Sequence, residues 1–174
     1  MTKSAALIFL LLGCAPAAAA DDAAGAANAF YAATQGLVRT GGGIPDATVR
    51  VRLAPLLTPR LNKALSDAAA AQVRFSAKNK GAPPLIEGDI FSSLFEGPTA
   101  FKVGVCRGDD KAARCAVALT RQDPGQKPAN WIDTVALVNQ GGWKVDDIAY
   151  DANFAFGNTG TLSDMLQMAI HEAP

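Results

Sequence analysis

The run TAFKVGVCRGDDKAARCAVALTRQDPGQKPANWIDTVALVNQGGWKVDDIAY, residues 99–150, decides the fold. Phe101, Val103 and Val105 alternate with Lys102 and Gly104. Three further runs, Arg114 to Arg121, Trp131 to Asn139 and Trp143 to Tyr150, are each bounded by turn residues. A period of two with that punctuation reads as four strands, and linkers this short join antiparallel neighbours in meander order. Asp123-Pro124-Gly125 marks the middle hairpin. Asn139-Gln140-Gly141-Gly142 makes a tight turn that sets Val138 opposite Trp143, Ala136 opposite Val145 and Thr134 opposite Asp147. In that register Asp146 and Asp147 point to opposite faces. Val135, Leu137 and Ile148 share one face, and Ile132, Val138 and Trp143 the other. Neither face is plainly polar, and an exposed apolar one would need a partner.

Upstream the period is helical. Ala26, Phe30, Ala33 and Leu37 recur at helical spacing in a segment from Ala23 to Leu37 that stops at Gly41-Gly42-Gly43. Asp46 is suited to cap a short helix through Leu53, although Val49 to Arg52 also alternates like a strand. Thr58-Pro59 opens a longer helix with Leu61, Leu65, Ala69 and Val73 at every fourth place, ending near Lys80-Gly81. After the strands, Thr161-x-x-Asp164 resembles a capping box before Leu162, Met165, Leu166 and Ile170. The sum is an α+β fold: a curved antiparallel meander sheet of four or more strands, packed against N-terminal helices and a C-terminal helix in a cone-like shape. Such layers leave room for a pocket between sheet and helices.

The first twenty residues read as an address. Lys3 gives a positive n-region, Ala5 to Leu12 an apolar h-region, and Ala18 and Ala20 the small residues before cleavage ahead of Asp21. The competing reading is a lipobox, Leu11-Leu12-Gly13-Cys14, after which Cys14 would be acylated; its leader of thirteen residues falls below the usual fifteen to thirty. Residues 21–174 then form a single domain of periplasmic location, with membrane association only where Cys14 carries lipid. The whole chain holds 16 basic and 16 acidic residues. Loss of Lys3 leaves the mature domain near minus one, which argues against nucleic acid as a partner, since phosphate binding needs a basic face. Cys106 and Cys115 remain as an even pair framing a turn-like RGDDKAAR in an oxidising compartment, the pattern of a disulfide.

Three stretches carry a family resemblance: Gly88-Asp89-Ile90-Phe91-Ser92-Ser93-Leu94-Phe95-Glu96-Gly97-Pro98-Thr99, with Leu57-Thr58-Pro59-Arg60-Leu61 before it and Trp143-Lys144-Val145-Asp146-Asp147-Ile148 after it. Together they resemble an exported bacterial domain-of-unknown-function family within the nuclear-transport-factor-two-like, cystatin-like superfamily, from about Asn28 to Leu166. The resemblance implies a cone-like α+β fold and export, in some members as envelope lipoproteins. It brings no catalytic residue with it.

The residues themselves suggest several chemistries. Glu87, Asp89 and Glu96 cluster before the first strand, and Asp133, Asp146, Asp147 and Asp151 around the last hairpin, but no D-x-[DN]-x-[DN]-G loop arranges them for calcium, and no metal or cofactor is expected. An isomerase or dehydratase would cast Asp146 or Asp147 as base with Tyr150 or Tyr31 as donor. Ser92 and Ser93 lack a G-x-S-x-G context, and His171 is almost terminal. A binding module would place Phe91, Phe95, Trp131 and Trp143 on a pocket wall, with Asp89, Glu96, Asp146, Asp147 and Tyr150 near it. An accessory subunit of an envelope assembly would instead use an outer surface, Arg50, Arg52 and Arg60 meeting acidic groups. The expectation is an exported, non-catalytic module for a small ligand or an envelope partner, with those two alternatives beside it.

Overall fold

A computed structural model describes residues 17–37 and 42–172. The n-region, the h-region and Cys14 lie outside the described residues. Helices α1 (Ala17–Thr34), α2 (Ala47–Leu53) and α3 (Pro59–Lys78) precede strands β1 (Ala100–Gly108), β2 (Ala112–Arg121), β3 (Ala129–Asn139) and β4 (Trp143–Ala149), and helix α4 (Leu162–Glu172) closes the order. The sheet runs β1-β2-β3-β4, all antiparallel, and is curved without closing. This is the α+β meander that the strand punctuation predicts. Among the described residues no helix is long and apolar enough to cross a membrane.

Local chemistry sets the helix ends. Asp46 Oδ1 accepts from the Val49 amide at 2.9 Å, which makes 47–53 a helix rather than a strand. Thr58 Oγ1 accepts from Leu61 N, with Pro59 at the first helical position. Thr161 and Asp164 exchange the reciprocal bonds of a capping box at 3.1 Å each.

The buried stripes differ from strict four-residue spacing. In α3 the buried positions are Leu61, Ala64, Leu65, Ala68 and Ala71, and Val73 is 70% exposed. Each step of four turns 400°, so a series at every fourth residue drifts off the core by 40° per step. In α1 the buried residues are Ala23, Ala27, Phe30, Tyr31 and Thr34, which puts Tyr31 inside where the expected series passes it by.

Two bulges correct the sheet register. The last hairpin closes on Asn139 opposite Trp143, with Asn139 Oδ1 accepting from Gly142 N and Gly141 at φ 73°. This is one residue tighter than the expected closure of Val138 on Trp143, and it moves Trp143 to the inner face with Val145. A bulge between Ala136 and Leu137 then absorbs Asp146, leaving Ala136 opposite Asp147 and Thr134 opposite Ala149. Asp146 and Asp147 therefore do not take opposite faces; both carboxylates reach the Arg60 guanidinium, at 2.9 and 4.0 Å. The second bulge, between Val103 and Cys106, breaks the alternation of β1 and leaves Val105 67% exposed.

Leu119, Val117, Val135, Leu137, Val145 and Ile148 line the inner face under α1, and Cys115 joins Cys106 in a disulfide between directly opposed strand residues. On the outer face Ile132 is 55% exposed.

Candidate functional site

Between α3 and β1 the chain crosses the end of the core without regular structure, and residues 86–93 are nonetheless mostly buried. Buried irregular backbone must find its hydrogen bonds elsewhere. Asp133 supplies many of them. Its carboxylate, fully buried on β3, accepts from Ser93 N at 2.7 Å, Trp131 Nε1 at 3.0 Å, Asp151 N at 3.1 Å and the Ser93 hydroxyl. Asn158 Nδ2 donates to the carbonyls of Asp89 and Ser92, and the Tyr150 hydroxyl donates to that of Ile90 at 2.7 Å. Gly88 sits at φ 71° with Phe95 folded over it; a Cβ there would lie 2.6 Å from the Phe95 ring and carbonyl. The motif from Gly88 to Thr99 is thus a strap, pinned from beneath by β3 and from the side by residues 150–158.

The strap, α1 and the β1–β2 end of the sheet enclose a cavity of about 310 Å³. Phe91 and Phe101 form its apolar wall, and the Tyr31 ring packs against Phe101 at 5.7 Å between centroids. Tyr31 is 2% exposed and its hydroxyl has no hydrogen-bond partner. Burial, then the charges of Asp133 and Asp89, pushes the Tyr31 phenol well up, so it stays a neutral hydroxyl.

Asp89 lines the same cavity. Oδ1 accepts from Phe91 N at 3.2 Å and Oδ2 from Ser92 Oγ at 2.6 Å, two bonds for a group with about four acceptor sites. Burial raises its carboxyl to about 6, against the lowering effect of those two bonds, and the nearby Asp133 charge adds to the rise. Arg121 is the cation on this wall, and it is committed: Nε and Nη2 grip Asp123 at 2.9 and 2.8 Å while Nη1 donates to the carbonyls of Glu96 and Gly97. The Asp123 bonds, outweighing the opposing effect of burial and joined by the charges of Asp123 and Glu96, raise the guanidinium further. No salt bridge reaches Asp89 among the described residues.

Of the residues singled out in sequence, the structure gathers Asp89, Phe91 and Glu96 at this cavity, together with Tyr31. The others lie elsewhere. Phe95 covers Gly88 and faces a separate hollow with Gly42, Gly43 and Ile86. Trp131 belongs to the Asp133 network and packs edge-on against Phe154. Trp143 packs on the core at the end of β4. Tyr150 spends its hydroxyl on Ile90, and burial pushes its phenol well up. Asp146 receives Thr58 Oγ1 and Arg60; partial burial would raise its carboxyl, but those bonds outweigh it and hold it below the usual range. Asp147 Oδ1 accepts from Ser163 N in the first turn of α4. These two aspartates fasten helices to β4, and neither they nor Tyr150 line this cavity. Among the described residues no group of three or more His, Cys, Asp or Glu is placed to hold a metal ion.

Sequence reasoning missed Phe101, Thr99 and Arg121 as cavity residues. Phe101 was legible only as a strand residue, and Arg121 gave no signal, because the bonds that hold it at the cavity go to backbone carbonyls of the strap as well as to Asp123 two residues on. No protein-family model, curated protein or solved structure matches this chain.

Proposed function

We propose that this domain is an exported envelope protein that binds a small ligand in the cavity between the strap, α1 and the open end of the sheet. The observation that carries this reading is Tyr31, a residue of the cavity wall whose hydroxyl is buried and unpartnered. A buried hydroxyl without a partner costs roughly 1–3 kcal/mol, and a Phe would fill the place without that cost. A ligand that hydrogen-bonds it repairs the deficit. The volume stands at the lower end of small-molecule sites, and the wall has their usual make-up of aromatic surface with a few polar groups. Export, by cleavage after Ala20 or by acylation of Cys14, is supported by the leader sequence.

One observation favours a second reading. A carboxyl poised at about 6 beside a neutral phenol suits general acid–base work, with Asp89 taking a proton and Tyr31 donating to an oxyanion. This replaces Asp146, Asp147 and Tyr150 as the candidate machinery.

The test is native mass spectrometry of the protein isolated from its own envelope, followed by denaturing mass measurement. A released small molecule that Tyr31→Phe fails to retain supports the binding reading. Recovery of both proteins ligand-free, with equal thermal stability, would sink it. Turnover of the released molecule by the parent and not by Asp89→Asn would favour the enzyme.

A further inference from the structure

The charge of the cavity wall says which ligands it takes. Asp89, Glu96 and Asp123 are acidic, and Arg121 is the basic member. Arg121 and Asp123 neutralise one another through two parallel bonds, and Nη1 donates to the carbonyls of Glu96 and Gly97, so most of the guanidinium donors are already engaged. Asp89 remains, buried and without a salt bridge among the described residues, whereas Glu96 is exposed and its charge acts on Arg121. A buried carboxylate without a counter-charge is expensive unless a positive group arrives. Beside it, Tyr31 offers an oxygen that no protein donor uses, and the faces of Phe91 and Phe101 offer π surface. Carboxylate, free oxygen lone pairs and aromatic faces are the recognition set of an organic cation, whose N–H groups only donate.

We propose that the cavity binds a small organic ammonium ion with an attached apolar group, the charged head against Asp89 and Tyr31 and the apolar part against Phe91 and Phe101. This rests on the ligand-binding reading above and names its ligand class. An anion would meet the uncompensated Asp89 carboxylate, and Arg121 is already paired with Asp123.

Binding of a cation requires Asp89 ionised, so affinity follows its titration. The groups facing it are Tyr31 from α1, Asp133 from β3 and Tyr150 after β4, with Glu96 on the strap and the Arg121–Asp123 pair across the cavity. With the carboxyl at about 6, lowering pH from about 7.5 to about 5 weakens binding roughly tenfold, and binding in that range releases a proton.

The experiment is calorimetric titration of the protein, expressed as the full chain, with three probes of one shape: 2-phenylethylammonium, 2-phenylacetamide and phenylacetate. The expected order is cation over amide by tenfold or more, with no heat from the anion. Asp89→Asn loses the advantage of the cation and its pH dependence while amide binding persists; Tyr31→Phe weakens both. Amide or anion binding at least as tightly as the cation would overturn the ammonium assignment and leave the cavity reading intact. Silence from all three probes would overturn both.

Discussion

Replacing Asp89 with Asn should make this protein more stable at neutral pH. The folded carboxyl holds its proton to about 6, against an ordinary value of 3.8. Between those two values the folded state binds more protons than the unfolded chain, so stability falls as pH rises through the window and stays low above it. The gap is worth about 3 kcal/mol at 1.36 kcal/mol per pH unit. Asn keeps the oxygen that receives Phe91 N. Its amide would face Ser92 Oγ, which can turn to accept and direct its own proton to the Leu94 carbonyl, 3.3 Å away. Allowing about 1 kcal/mol for that exchange leaves a net gain of about 2 kcal/mol at pH 8. At about pH 4, where the parent is already neutral at this position, the gain vanishes. Urea denaturation followed by tryptophan fluorescence at a series of pH values reads the difference directly. A variant less stable than the parent at pH 8, or a difference that does not change with pH, would refute the claim that an uncompensated charge sits at Asp89.

The other aspartate of the buried network should behave in the opposite way: Asp133→Ala leaves three N–H donors and a hydroxyl facing an apolar side chain, and should cost at least about 3 kcal/mol by the same assay. Parent-like stability would mean that the strap is not anchored there. Cys106→Ser should lower stability by about 2–3 kcal/mol on the loop-entropy estimate, and reductant should bring the parent to the level of the variant without affecting the variant; an unchanged melting temperature would contradict the disulfide. Thr161→Ala removes one half of the capping box and should cost about 1 kcal/mol, with Thr161→Ser recovering most of it.

What the sequence made legible is what short-range chemistry controls. The meander followed from alternation and from turns only a few residues long, the caps from Asp46, Thr58 and Thr161, and the disulfide from two cysteines flanking one turn. The failures share a cause. A bulge is a single residue that the partner strand declines to match, and nothing in Val145-Asp146-Asp147-Ile148 announces that Asp146 is the extra one; the sign lies in the spacing of Val145 and Ile148, both buried three apart in a strand where two is the rule. Once that residue is absorbed, Asp146 and Asp147 become fasteners for Arg60 and α4. Tyr31 was legible as inward-facing only from Ala23 and Ala27, a turn apart on the same stripe, and the strict series through Ala26 and Phe30 pointed past it. Asp89 stood in a recognisable motif, but its difference from Asp133 depends on which donors converge from distant segments.

That difference also separates structure from function here. Two aspartates are buried at the same end of the sheet, and a fold that merely needed acceptors would saturate both. Asp133 has four donors and is fully buried: it is a knot between β3, the strap and the segment after β4. Asp89 has two donors, borders open volume, and shares that volume with a phenol that also lacks a partner. Stability alone gives no reason to keep either group, since Asn and Phe would fit these places at lower cost. Two independent deficits in residues that line one cavity are the arrangement expected when the missing partner comes from solution. The same reasoning distinguishes a binder from an enzyme. A binder needs Asp89 charged and silent, so Asp89→Asn changes affinity and leaves the bound molecule unaltered in parent and variant alike; an enzyme needs its proton to move, so the same variant would hold its substrate and fail to turn it over.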